Sequence, residues 1–157
     1  MEAVEVMGEP NFFIGFEGVV EPKWIDINGH MNVRWYDYVF DTAEHNIIDT
    51  IGLTNDYIAA NGRTTYRLEK RIRYEKELLE GEQLQVRSRL IFTDERIFKH
   101  RHELLNLTRN VRAASAEFVS IHVDLSVRKS ARIIDPVILE NLRRLARAHA
   151  IPEEASS

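Results

Sequence analysis

Cysteine is absent from the 157 residues, which removes disulfides, thiolate metal sites and a cysteine nucleophile together. No apolar run approaches the roughly 20 residues that a membrane-spanning helix needs. Positive charge is not in excess: 21 Lys and Arg against 25 Asp and Glu leave a net charge of −4, which argues against nucleic-acid binding through bulk charge. The opening residues Met-Glu-Ala-Val-Glu lack the basic-then-apolar order of a secretory signal, so a cytoplasmic protein is expected. No internal repeat, low-complexity tract or linker divides the chain. A single domain over residues 1–157 is expected, with 44% hydrophobic residues to fill one core.

What the sequence does hold is concentrated in residues 24–40. Asp26, Asn28, His30 and Asn32 fall at alternate positions, with Gly29 between them to permit a tight turn. A helical rhythm begins directly behind: Val33, Tyr36, Phe40, Ala43, Ile47 and Ile51 recur at three and four, and Gly52 stops the run. Polar groups where a loop feeds a helix can meet a developing negative charge, because first-turn amides are unpaired. Such a site suits acyl transfer.

The remaining elements read as strands and one more helix. A first strand spans about 12–20. After the turn at Asn61-Gly62, four strand-like runs follow at 64–75, 83–92, 97–107 and 111–127. In the first of these, Tyr66, Leu68, Lys70, Ile72 and Tyr74 are expected on one face and Arg67, Glu69, Arg71 and Arg73 on the other. Asp135-Pro136 caps a last helix over about 135–149, with Val137, Ile138, Leu142 and Leu145 covering apolar surface. Four consecutive antiparallel strands present a wide apolar face, and the long helix is its natural cover. An α+β domain follows, with a sheet of about five strands wrapped round a central helix.

That order, together with Asp26-Ile27-Asn28-Gly29-His30-Met31-Asn32, resembles the hotdog-fold acyl-CoA thioesterases of the 4-hydroxybenzoyl-CoA thioesterase type. The heptapeptide is similar to the Asp-x-Asn-x-His-x-Asn-Asn signature of thioesterase hotdogs, including plant acyl-carrier-protein thioesterases. Tyr36 and Phe40 match aromatic positions of the family's helix, and Val33 departs from a second asparagine. The resemblance implies hydrolysis of an acyl-CoA to free acid and CoA without metal or organic cofactor. It also implies a homodimer or homotetramer, with sheets joined edge to edge and the substrate channel at the subunit interface. The wider pattern from Trp24 to Tyr36 is similar to thioesterases of bacterial carnitine breakdown, which act on betainyl-CoA.

Thioester hydrolysis needs a nucleophile or a base for water, and a donor for the oxyanion. Asp26 is the candidate carboxylate for either role, against a plain turn or capping aspartate. His30 is a candidate for orienting the carbonyl, against a buried imidazole bonded to backbone. Asn28 is a candidate for fixing Asp26 or a water, and Asn32 for substrate contact, against ordinary capping. Trp24, Trp35, Tyr36, Tyr38, Tyr66 and Tyr74 lie in segments expected to line the channel. Trp24 and Trp35 are the first candidates for an aromatic cage round a quaternary ammonium group, against core or dimer-interface residues, the commoner role of such aromatics. Among the basic residues of 63–73, Arg71 is the candidate for the CoA phosphates, while most of the group is expected to form a solvated strand face paired with Glu69 and Glu75. His100 and His102 share a strand face and His122 is the only evident third metal ligand, a weaker reading than interface or surface histidines. Two rival functions are a non-catalytic acyl-CoA binder and a hotdog enoyl-CoA hydratase. The hydratases carry Asp and His five apart around a proline, which Asp26 and His30 do not match.

Overall fold

The computed structural model describes residues 10–150. In chain order they form β1 (Phe13–Val19), a 3-10 turn (Pro22–Trp24), α1 (Val33–Ile51), α2 (Asn55–Asn61), β2 (Arg63–Tyr74), β3 (Gln83–Thr93), β4 (Ile97–Asn106), β5 (Val111–Asp124), β6 (Lys129–Ser130) and α3 (Pro136–Ala148). The expected order is present, and α2 and the two-residue β6 are additions to it. Five long strands pair antiparallel in the order β1-β3-β4-β5-β2, and β6 extends β5. No helix among the described residues is long and apolar enough to cross a membrane.

Helix α1 starts where Asn32 stands in extended backbone and its side chain accepts the Arg34 N–H. It ends at Gly52, whose φ of +112° a side chain would oppose. Tyr36, Val39, Phe40, Ala43, Ile47 and Ile51 form the buried stripe, each large apolar side chain contributing about 1.5–3 kcal/mol by leaving water. Val33, expected in that stripe, is exposed. Glycine is required at position 15, where a Cβ would lie 2.5 Å from Ser88 Oγ and 2.8 Å from Ala43 Cβ. That absence of side chain lets β1 lie against α1.

Two apolar clusters fill the space under the helix. One gathers Trp24, Met31, Tyr36, Phe40, Leu78 and Phe118, and the other gathers Ile51, Leu90, Phe98, Ile138, Leu142 and Leu145. Helix α3, capped by Asp135 with Pro136 at its first position, closes the second. Val137 points to solvent instead, because the stripe runs through 138, 142 and 145.

A polar row separates the clusters on the inner sheet face. Ser88 Oγ meets His102 Nδ1 at 2.7 Å, His102 Nε2 meets His100 Nδ1 at 2.8 Å, and His100 Nε2 meets Ser120 Oγ at 3.2 Å. Both imidazoles are fully buried, so the surface or interface reading of them is corrected. His122 is engaged elsewhere, with Tyr57 OH and the Ala131 carbonyl, each at 2.9 Å. The three histidines therefore do not converge on one point.

Strand β2 corrects the simple alternation. Its pairing with β5 slips between Arg67 and Glu69, leaving Leu68 as a bulge. Before the bulge Arg67 turns inward, over the Phe118 ring and onto Asp41 and Glu44 of α1. Beyond it, Lys70 reaches Asp37 at 2.9 Å and Tyr74 meets the Tyr36 ring. One extra residue exchanges the faces, so Tyr66 and Tyr74 end on opposite sides.

Candidate active site

The loop before α1 is built by backbone bonds. Gly29 N–H donates to Asp26 O at 2.9 Å, with Gly29 at φ +83°, and Asp26 N–H donates to His30 O at 3.1 Å. Met31 N–H is held by Leu78 O and Asn32 N–H by Trp24 O, at 2.8 and 2.9 Å. The loop is thus fixed to the strand connection on one side and to the 3-10 turn on the other.

Within this frame Asp26 Oδ1 accepts the Asn28 backbone N–H at 2.8 Å, and Oδ2 accepts Asn32 Nδ2 at 3.0 Å. The Asn32 amide, then the Asn28 N–H, hold the Asp26 carboxyl below its usual pKa, with the nearby His30 acting the same way. Asn32 performs two tasks: its oxygen caps the helix and its nitrogen holds the carboxylate. The capping reading of Asn32 is therefore observed, together with a bond to Asp26. Asn28 acts on Asp26 through its main chain rather than its amide.

The first-turn amides of α1 are mostly satisfied. Arg34 N–H goes to Asn32 Oδ1 and Trp35 N–H to Asn32 O, while Val33 N–H has no acceptor among the described residues. Val33 is the first helical residue, where such a donor is expected to be orphaned. It lines a pocket of about 240 Å³ with His30, Met31, Tyr36 and Tyr74, walled by residues 75–77. Burial pushes the Tyr36 hydroxyl up to about 12, so its ring stays neutral.

Hydrogen bonds join Asp26, Asn28 and Asn32, while His30 and Tyr36 line the neighbouring pocket, which Asp26 itself does not line; the other candidates are dispersed. Trp24 is buried and stacks on Trp35 with centroids 5.3 Å apart and planes within 11°, and Tyr38 meets both rings edge-on. The Trp24 indole N–H has no acceptor among the described residues. Tyr66 lies on the outer sheet face, where its hydroxyl accepts from Arg128 at 3.1 Å. Arg71 is also outward, 3.5 Å from Glu117, and with Arg73 lines a shallow recess. The Val33 amide is one of the unpaired first-turn donors expected at this loop–helix junction. Tyr74 belongs to the pocket because of the bulge, which nothing in the local pattern announces.

Known proteins resemble this chain in sequence and in fold. The betainyl-CoA thioesterase of Pseudomonas aeruginosa is 32% identical over 139 residues, 87% of this chain and 86% of that protein. The L-carnitine dehydrogenase/betainyl-CoA thioesterase of a Rhizobium species is 30% identical over 131 residues, 83% of this chain but 26% of that protein. A hypothetical protein of Staphylococcus aureus solved in complex with CoA superposes with a TM-score of 0.86, covering 99% of this chain and 94% of that one at 17% identity. The model of the Thioesterase-like superfamily matches residues 20–152. The chain belongs to that superfamily: it is a hotdog-fold thioester hydrolase acting on acyl-CoA.

Proposed function

We propose that Asp26 cleaves the thioester of betainyl-CoA at the mouth of α1, yielding the free acid and CoA. The observation that carries this is the carboxylate held on both oxygens, by Asn28 N–H and Asn32 Nδ2, beside an unpartnered helix N-terminal amide. Carbonyl oxygen accepts the Val33 N–H, where the helix dipole favours the negative charge of the tetrahedral species. Asp26 then acts in one of two ways. Its oxygen bonds to the acyl carbon as the C–S bond breaks and CoA thiolate leaves, and water later opens the mixed anhydride. Alternatively it takes a proton from a water whose oxygen forms that bond. His30, on the pocket wall, orients the carbonyl, and Arg71 with Arg73 offers guanidinium groups to the CoA phosphates.

The acyl group follows from the relatives whose names state it. Two copies of the chain meet along β2, a 12-residue strand at one end of the sheet order. Such an edge is a template for a second strand. Antiparallel pairing there continues the sheet and closes the pocket with the partner. Measuring thiol release from betainyl-, acetyl-, hexanoyl- and benzoyl-CoA tests the substrate: betainyl-CoA is expected to turn over with the highest kcat/KM. Equal or faster release from the plain fatty acyl esters removes that substrate.

A further inference from the structure

The trimethylammonium group of a betainyl ester is charged, bulky and unable to donate a hydrogen bond. Aromatic faces and carboxylates are the side chains that can hold it. The tryptophans are already engaged: Trp24 and Trp35 cover one another, and the chain's own Lys23 places its Nζ 5.7 Å from the Trp35 ring centroid.

A second aromatic pair faces the catalytic loop. Tyr36 and Tyr74 meet at 86° with centroids 5.0 Å apart, a right-angled corner in the pocket that His30 and Val33 also line. Glu75, Lys76 and Glu77 complete the wall. Glu75 is taken by Arg112, at 2.8 and 2.9 Å. Glu77 has no ion pair among the described residues and lies close enough to Tyr36 to disfavour its phenolate. The spacing also suits a short acyl chain. In betaine the nitrogen stands about 2.5 Å from the carbonyl carbon. Tyr36 lies four residues, about 6 Å along the axis, beyond the Asn32 that holds Asp26, and on the same helix face.

We infer that the Tyr36–Tyr74 corner, with Glu77 beside it, seats the quaternary ammonium of the acyl group and sets the preference for a cationic over a neutral chain. The assignment rests on betainyl-CoA being the substrate. Betainyl-CoA and 3,3-dimethylbutanoyl-CoA share a shape and differ by the charge, so their kcat/KM ratio reads the corner directly. The wild type is expected to favour the betainyl ester by roughly tenfold or more. Tyr74→Leu brings the ratio down by roughly tenfold while the neutral ester keeps its rate within about threefold, and Glu77→Gln lowers it part of the way. Trp35→Leu leaves the ratio where it was. The two substituted positions, Tyr74 and Glu77, are exposed enough for the variants to fold, which circular dichroism checks. A betainyl preference that survives both corner variants, or collapses in Trp35→Leu alone, overturns the corner and leaves the substrate standing. A wild type that cleaves the two esters equally, or neither, overturns both.

Discussion

Asn32 shows how little is needed to couple helix formation to chemistry, since one amide caps α1 and grips Asp26. Replacing it with alanine removes both bonds. Asn32→Ala is expected to cost about 1 kcal/mol of stability for the cap and to lower kcat well beyond Asn28→Ala, which keeps the main-chain bond to Asp26. Denaturant titration and steady-state rates compare the two. Asp26→Asn keeps the shape and loses the charge, so kcat should fall by about 10²–10⁴ with KM little altered. A rate near wild type in that variant would sink the mechanism. The oxyanion donor can be tested although it is backbone. Val33 occupies the first helical position, which tolerates proline. Asn32 at φ −72° and ψ 147° is already in the region a following proline requires. Val33→Pro should therefore fold normally and lose about 10²–10³ in kcat; unchanged turnover would assign the oxyanion to another donor.

At the scale of elements, the strands under α1 carry a neutral imidazole pair in the apolar core. Burial pushes His100 down to about 3, and burial followed by the His100 neighbour holds His102 well below its usual value. Both are neutral in the folded chain at neutral pH, while the unfolded chain protonates them near 6.5. Stability on this account is intact above about 6.5 and falls as pH drops from there toward 3, because the unfolded state binds more protons. Glu44, raised by burial despite Arg67, works in the opposite sense: its contribution grows as pH falls from its raised value to the ordinary carboxylate value and is constant below that. Urea midpoints across pH 4–8 should show the loss, and at least two of the six histidine resonances should not titrate between pH 5 and 8. Titration of all six near 6.5 would contradict the buried pair. Period-two and period-three-to-four patterns made α1, α3 and the long strands legible, because one face of each is buried. Helix α2 escaped since Tyr57 is its only buried residue, too few for a pattern. The bulge at Leu68 and the slip between Leu90 and Phe92, which turns Phe92 to solvent, depend on partner strands and not on local composition.

For the whole molecule, β2 is the feature that invites a second copy. Leu68 is exposed at its bulge, and Tyr66 and Tyr74 are about half exposed on either side. In the proposed pairing along β2, Leu68→Asp places like charges near one another across the two-fold axis at the middle of that strand. It should shift the mass measured by light scattering to that of a monomer, with unchanged circular dichroism and a large loss of thioesterase activity. A full-mass oligomer with full activity would move the interface elsewhere. Such a contact would set Tyr74 of each copy beside the opposite end of the partner's β2, since antiparallel strands run past one another.

The chain by itself determined the fold class, the long central helix and the Asp26–Asn32 motif. Each rests on a short-range rule, such as burial periodicity, capping chemistry or a tight turn, that neighbours in sequence can express. Tertiary structure alone decided which aromatics border the site and where the basic side chains go. Trp24 and Trp35 closed on each other, Tyr74 was turned toward Tyr36 by one unpaired residue in β2, and Arg67 and Lys70 were drawn to the carboxylates of α1. Register and packing between distant segments set those outcomes, and no local window of sequence contains them.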